Sequence, residues 1–500
     1  MTLFSLLSEA NILCPEYLAN IEISGIETNA DNVKYGSLFI CIKGTRFDSH
    51  TLISTVLKKG AVAIVADESA RIENESAYPL IRVKNTRSAM SHIYAALYGN
   101  PQRRLKFIGI TGTNGKTTTA KMLYEILRGA GRSVGLIGTL GCISRSGKLN
   151  IRSGNKLANM TTPDPSELYK ILSVMADDGV EYVIMEVTSH ALALQKTDPI
   201  EFEFALFTNL TRDHLDFHGN MENYYTAKRS LFDNSKRAII NIDGYYGKRL
   251  ASEIDYPVTC TQNGAFATYS ATDMKLCGCE GIEYKLHSRL MRLYVRLQIP
   301  GSFTVMNSLM AIACASEIGV SAISIKRTLR SLSGTDGRLQ RVDLGRDADI
   351  SVFIDYAHTP DALENLLVSA KGFTDKDKRI VVLFGCGGER DREKRKIMGH
   401  IASSLADMTI ITSDNPRSED PEAIIREILL GVDKESCYTV IPDRRRAIEY
   451  AVTNASVGDV ILLAGKGHES YEIVGNEKRD FCESQIVLDA YKKRKNQQES

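Results

Sequence analysis

The chain is predicted to be an α/β protein of three domains: a small amino-terminal α/β domain (1–100), a central P-loop domain with a mainly parallel sheet (101–337), and a carboxyl-terminal Rossmann-like doubly wound domain (338–500). Three observations predict this. Short apolar runs alternate with helical segments along most of the chain, the pattern left by strands buried on both faces. A glycine-rich turn, G-I-T-G-T-N-G-K-T-T-T over Gly109 to Thr119, stands between one such run and a helix. Gly99-Asn100-Pro101 and Gly337-Arg338-Leu339-Gln340 break the pattern where domain boundaries are expected, and 500 residues accommodate about three domains of roughly 150 residues each.

In the first domain, strands are predicted at Ser37 to Ile42, Ala61 to Ala66 and Leu80 to Val83, with helices around Leu52 to Lys59 and Ser88 to Tyr98. In the second, the run Leu105 to Ile110 leads into a helix over Thr117 to Ala130. Strands follow at Val180 to Val187, Phe204 to Asn209 and Arg237 to Ile240, with helices at Tyr224 to Phe232 and Val305 to Ile318. The third is the most regular. Strands near Val352 to Asp355, Arg379 to Phe384, Met408 to Thr412, Thr439 to Ile441 and Val460 to Leu463 alternate with helices, and strict β-then-α order predicts ligands at the carboxyl ends of the strands. Lys492 to Ser500 reads as a frayed tail, and no internal repeat is evident.

A net charge of +1 without a basic stripe argues against a nucleic-acid partner. The first residues lack a positive n-region and meet Glu9 early, and no run of about eighteen apolar residues occurs, so a cytoplasmic protein without membrane insertion is expected. Ten scattered cysteines read as reduced thiols; Cys277 and Cys279 form the one close pair, without a second pair at zinc-site spacing.

The glycine-rich turn carries the first functional signal. Backbone amides at a helix amino terminus converge on polyphosphate, Lys116 adds a mobile charge, and the Thr117 hydroxyl suits magnesium, so ATP or GTP is expected. The generic motif wants glycine where Ile110 stands; glycines occupy 109 and 112 instead. Two strand ends, E-V-T-S-H-A-L from Glu186 and T-N-L-T-R-D-H-L-D from Thr208, bring a carboxylate and His190 or His214 toward that turn, a plausible magnesium shell with Thr117.

These strings, with Y-Y-T-A-K, G-R-L-Q, D-Y-A-H-T-P-D and A-G-K-G-H-E in the same order, resemble the Mur ligases, the ATP-dependent amino-acid-adding enzymes of peptidoglycan synthesis, and within them the tripeptide synthetases. The resemblance covers nearly the whole chain. It implies that a substrate carboxylate attacks the γ-phosphate of ATP and that an amine then attacks the resulting acyl phosphate, with Lys116 and magnesium stabilising charge and domain closure excluding water. It implies that Gly112, Thr113, Asn114, Gly115, Lys116, Thr117 and Thr118 cradle ATP. Asn307 would touch adenine, and Arg338 and Asp355 would reach phosphate and ribose. Glu186, His214 and Lys228 would serve catalysis and magnesium, Lys228 as an N6-carboxylysine. Thr304 stands where asparagine is common, and Thr335-Asp336 where Val-Pro is common.

The same resemblance assigns the added amino acid. D-N-P-R at Asp414, Asn415, Pro416 and Arg417 marks the enzymes that add meso-diaminopimelate, with Arg390, Gly465 and Glu469 in the same pocket. A planar guanidinium clamps a carboxylate and Glu469 holds an ammonium; lysine would leave Arg417 unpaired. The first domain would hold the UDP of UDP-N-acetylmuramoyl-L-alanyl-D-glutamate, with Thr161, Thr162, Thr188 and Lys196 along the muramoyl peptide. There Asn29-Ala30-Asp31 replaces D-S-R and Asp48-Ser49-His50 replaces D-G-H, while Gly44 and Thr45 keep the pattern. A monomer is expected. The alternatives are a ligase of the same fold that adds L-lysine, a D-Ala dipeptide or glutamate, a nucleotide-dependent switch, and a degenerate ligase kept as a binding module.

Overall fold

The computed structural model describes residues 1–500 except 45–46, 150–151, 154–155, 158–160, 333, 335–336, 346, 476 and 499–500; of 152–153, 156–157, 216 and 498 it describes the backbone alone. Thr45, Thr335 and Asp336 therefore lie outside the described residues. The chain forms two compact units, one of Met1–Gly112, Gly131–Phe207 and His214–Ala238, the other of Thr113–Ala130, Thr208–Asp213 and Ile239–Ser500.

The first unit contains two sheets. Its amino-terminal sheet has four parallel strands in sequential order, Gly25–Glu27, Ser37–Ile40, Ala61–Asp67 and Leu80–Val83. Phe39, Cys41, Ile64 and Ala66 bury one face against helix Ile53–Lys58. Elsewhere in the unit, strand Lys106–Thr111 lies parallel between Tyr182–Glu186 and Phe202–Phe207, and Val134–Gly138 lies beyond Tyr182–Glu186. The strand Val134–Gly138 and helix Pro165–Asp177 escaped sequence reading, as did the antiparallel additions Gly141–Ser144 and Gly147–Leu149.

In the second unit, strands Ala238–Asn241, Val258–Thr261 and Tyr269–Leu276 run parallel, and Ile282–Ser288 and Arg292–Leu297 continue antiparallel. These last strands bury only alternate residues, so their apolar content is diluted by a solvated face and no continuous run marks them. Helix Phe303–Glu317 is buried along most of its length, including Thr304, whose hydroxyl donates to the Pro300 carbonyl at 3.0 Å.

The carboxyl-terminal sheet of this unit has the order Gln340–Arg341, Ser351–Asp355, Val460–Ala464, Ile380–Phe384, Met408–Ile411 and Tyr438–Val440, parallel except for the first. Its strands look uniformly apolar because each face has its own core. Phe353, Val382, Phe384, Ile411 and Leu462 pack on helices Pro360–Phe373, Glu393–Leu405 and Pro421–Leu429. Ile354, Val381, Leu383, Ile410 and Ile461 pack on helices Arg444–Thr453 and Glu483–Gln498. The sheet is doubly wound, as expected.

One expectation fails. Residues 492–498 are not a frayed tail but the end of helix Glu483–Gln498. Arg494 is buried, donates to the carbonyls of Val452, Thr453 and Ala455 and pairs with Asp349 at 2.7 Å, so it satisfies the last carbonyls of helix Arg444–Thr453.

Candidate active site

In the second unit the phosphate loop leads into helix Lys116–Gly129, whose amino-terminal residue before the first turn is Gly115 at φ +85°. A side chain there would be strained and would collide with Asn307 Oδ1. The loop is held by the strand-end segment from Thr208. Asn209 exchanges two bonds with the Asn114 backbone, accepting from its N–H at 2.9 Å and donating to its carbonyl at 3.1 Å, while the Thr208 hydroxyl donates to the same carbonyl at 2.6 Å. The N–H of Thr211 donates to Thr113 Oγ1 at 3.0 Å. Thr208 and Asn209 were not among the predicted site residues; their signal was the T-N-L-T string, read for its histidine instead. Lys116 Nζ folds back to the Thr113 carbonyl at 3.0 Å, Thr117 and Thr118 are buried, and Asn307 Oδ1 accepts from Thr119 Oγ1 at 3.4 Å. Asn307 thus lies against the loop's own helix.

In the first unit, Lys228 is 2% exposed on helix Met221–Asp233 and donates to the Gly112 carbonyl at 2.8 Å, with its Nζ 4.7 Å from the Tyr224 ring centre. An amine so far from water needs such partners. Glu186, 1% exposed, accepts from the Thr139 N–H at 2.9 Å and its hydroxyl at 3.2 Å. His214, at φ +51°, begins the short helix Leu215–His218; its ring meets His190 edge-on at 4.8 Å, and His218 Nε2 lies 2.9 Å from Ser189 Oγ.

The predicted muramoyl-peptide residues already have protein partners. Thr162 Oγ1 donates to the Glu186 carbonyl and accepts from the Thr188 N–H, Thr188 caps helix Ser189–Ala193, and Thr161 Oγ1 lies 3.2 Å from Thr139 Oγ1. Lys196, 4% exposed, pairs with Asp164 at 2.7 Å. The unusual amino-terminal segments close on themselves. Asn29 accepts from the Asp31 N–H, Asp48 bonds the His50 ring at 2.5 Å, His50 Nε2 accepts from the Asp67 N–H, and Ser49 is bonded to Ile42.

The carboxyl-terminal sheet gathers the remaining residues at its strand ends. Arg417 is held at φ +53°, its N–H donating to the Ile473 carbonyl at 3.2 Å and its carbonyl accepting from the Gly475 N–H at 2.8 Å. A non-glycine residue is strained in that region, and these two backbone bonds hold it there. Its Nη1 donates to the Gly388 carbonyl at 2.6 Å. Gly388 approaches Pro416 so closely that a Cβ would collide with its carbonyl, which explains the glycine-rich loop that carries the exposed Arg390.

Asn415, buried, donates through Nδ2 to Glu469 Oε2 at 2.8 Å, and burial pushes the Glu469 carboxyl above its ordinary value against the opposing Asn415 bond and the nearby Lys466 and Arg417 charges. Gly465 turns at φ +117° beside Asp414. Asp355 and Arg338 sit at the G-R-L-Q turn. Asp355 accepts from the Leu339 N–H at 2.6 Å and the Ala357 N–H at 2.9 Å, and burial raises its carboxyl although Arg338 opposes this. The Arg338 guanidinium stacks 4.8 Å from the Tyr356 ring centre, and its Nε is buried without a hydrogen-bond partner among the described residues.

Sequence reading missed what supports this pocket. The hairpin of Tyr471–Val474 and Glu477–Asp480 supplies the backbone beside Arg417. Fully buried Arg444 donates to the Ser413 carbonyl at 3.3 Å, the Ala464 carbonyl at 2.9 Å and Glu483 at 2.8 Å, tying both strand ends together. Fully buried Arg395 bonds Glu419, Glu427 and the Gly387 carbonyl.

Three family models match the chain in order: the Mur ligase family catalytic domain over residues 22–98, the Mur ligase middle domain over 110–315, and the Mur ligase glutamate ligase domain over 337–467. The chain belongs to the Mur ligase family. It is 42% identical over 472 residues to a protein of Clostridium tetani named UDP-N-acetylmuramoyl-L-alanyl-D-glutamate--2,6-diaminopimelate ligase, covering 93% of this chain and 94% of that one. A protein of the same name from Syntrophomonas wolfei is 38% identical over 496 residues, covering 98% and 99%. A solved structure of a ligase of that name superposes with a TM-score of 0.68 at 28% identity, covering 99% of this chain and all of that one. The Mur ligase fold is shared more widely: MurF of Thermotoga maritima, solved with ADP, aligns with a TM-score of 0.57 at 18% identity over 96% of this chain and 99% of that one. The architecture is the three-domain one of Mur ligases.

Proposed function

We propose that this Mur ligase is the ATP-dependent enzyme that joins meso-diaminopimelate to UDP-N-acetylmuramoyl-L-alanyl-D-glutamate, with domains at residues 1–100, 101–337 and 338–500. The observation that carries the amino-acid assignment is the strand-end pocket in which Arg417 is locked at a positive φ and Glu469 is held by Asn415. The relatives' names supply the same substrate pair.

The loop amides of Gly112 to Thr118 and the Lys116 ammonium bind the triphosphate, and Lys116 follows charge onto the γ-phosphoryl oxygens as the peptide carboxylate attacks phosphorus. The bond to the β–γ bridging oxygen breaks and ADP leaves. The amine of diaminopimelate then attacks the acyl carbon, expelling phosphate and forming the amide. Glu469 orients the distal ammonium and Arg417, with Arg390, the distal carboxylate. Asn307, Arg338 and Asp355 complete the ATP site. Thr161, Thr162 and Thr188 line the muramoyl peptide, and Lys196 exchanges Asp164 for a substrate carboxylate.

The Thr117 hydroxyl in the second unit, and Glu186, His214 and a carbamate on Lys228 in the first, are hard-oxygen and imidazole donors of the kind that would hold magnesium. Among the described residues no group of three or more His, Cys, Asp or Glu side chains gathers to hold a metal. When bound, it neutralises phosphate charge. No helix among the described residues is long and apolar enough to cross a membrane; that the enzyme works as a cytoplasmic monomer is a separate part of the proposal.

The test is ADP release with the UDP-muramoyl dipeptide and each of meso-diaminopimelate, L-lysine, D-alanyl-D-alanine and glutamate. Only the first is expected to support turnover. For the carbamate, a short-chain carboxylate should restore activity to Lys228→Ala, and the intact protein should carry a labile carbon-dioxide adduct; absence of both rejects it.

A further inference from the structure

The pocket contains a buried cation that the substrate would not touch. Lys466, the second residue of G-K-G-H-E, is fully buried at the end of strand Val460–Ala464. Its Nζ donates to Asn415 Oδ1 at 3.0 Å and to the Tyr471 carbonyl at 2.9 Å, and lies 3.5 Å from Asp414 Oδ1. Asn415 Oδ1 also accepts from the Ile473 N–H at 2.9 Å.

Two donors converge on one amide oxygen, and that fixes the amide. An asparagine side chain turned over would aim its NH2 at an ammonium and an N–H, two donors against donors. With Oδ1 fixed, Nδ2 has one direction left, toward Glu469 Oε2 at 2.8 Å. One carboxylate oxygen of Glu469 is thereby occupied and the other is left for a ligand's ammonium. The lysine charge also acts on Glu469 directly and, with Arg417, opposes the rise that burial and the Asp414 carboxylate impose on its carboxyl.

We infer that Lys466 is a positioning residue for amino-acid recognition: it sets the Asn415 amide, which in turn orients Glu469 toward the incoming amine. This rests on the proposed function in taking Glu469 as the ammonium's partner. Lys466 and Asn415 also bond the first strand of the neighbouring hairpin, at the Tyr471 carbonyl and the Ile473 N–H.

The experiment is a double-mutant cycle of Lys466→Met with Glu469→Gln, read as KM for whichever amino acid the unaltered enzyme turns over, beside KM for ATP. With Glu469 in place, Lys466→Met should raise the amino-acid KM about 10- to 100-fold, the scale of a hydrogen bond to a charged group, and leave the ATP KM unchanged. In the Glu469→Gln background the same substitution should cost a few-fold at most. The acid limb of kcat/KM for the amino acid should also move to higher pH in Lys466→Met, because a positive neighbour of Glu469 is gone. Equal losses in both backgrounds with an unmoved acid limb would overturn the inference, since a lysine that only stabilises the fold acts independently of Glu469. Should Lys466→Met not fold, Asn415→Ser removes the same donor to Glu469 and is read in the same cycle with the same two outcomes. Failure of the functional reading shows separately, as an unaltered enzyme that prefers another amino acid.

Discussion

The glycine-rich loop and the carboxyl-terminal pocket are held together in different ways. The loop is built from backbone: Gly115 turns it, Asn209 and Thr208 hold the Asn114 peptide, and a helix amino terminus supplies the field. The pocket is built from side chains whose own supports are buried charges, Arg395, Arg444 and Lys466. Backbone amides carry partial charges and need no counter-ion, so the neutral side chains of Thr208 and Asn209, from a distant strand end, suffice to hold the loop. The proposed reading of a carboxylate and an ammonium needs full charges of both signs, and in the structure such charges are kept in place by further charges brought from distant segments.

The sharpest break in this comparison is Lys116→Ala, since the loop has one full charge. ADP release should fall about 10³-fold; a loss below tenfold would mean that the backbone suffices. In the pocket, Arg444→Met should destabilise the protein by about 3–5 kcal/mol in urea unfolding, because Glu483 is left buried and unpaired. Arg444→Met combined with Glu483→Leu should recover part of that loss, and an additive double variant would show that the two do not act as a pair. Arg417→Lys removes the planar fork and should raise the KM for diaminopimelate about 100-fold with the ATP KM unchanged. Gly115→Ala must adopt φ +85° and displace Asn307, so the ATP KM should rise about tenfold while the amino-acid KM stays fixed. The smallest effect is on pH. Burial raises the Glu469 carboxyl, so on acidification it takes up its proton, and the ammonium loses its partner, at a higher pH than an ordinary glutamate would. The diaminopimelate KM should therefore climb early on the acid side, and Glu469→Gln should abolish that limb.

The same contrast explains what could be read from the sequence. Gly109 to Thr119 is local and contiguous, and the strands of the carboxyl-terminal sheet are continuous apolar runs, so both were legible. Asp414, Asn415, Arg417 and Glu469 stood out in the sequence because they fall in strings at strand ends, where the structure brings Asn415 onto Glu469. Arg395, Arg444 and Lys466 were not, because a basic residue in a helix or turn looks solvated until the fold brings Glu419, Glu483 or Asn415 to it. Strands such as Arg292–Leu297 bury alternate residues only, and the tail was misread because Arg494 finds its carbonyls at the end of a different helix, at Val452 to Ala455.

The most direct measurement is a competition: equal meso-diaminopimelate and L-lysine offered with ATP and the UDP-muramoyl dipeptide, and the UDP-linked product weighed by mass spectrometry. The predicted result is the diaminopimelate adduct with a trace of lysine adduct at most, and a product mixture that evens out in Arg417→Lys. A predominance of lysine adduct in the unaltered enzyme, or ADP release that ignores both amino acids, would contradict the account.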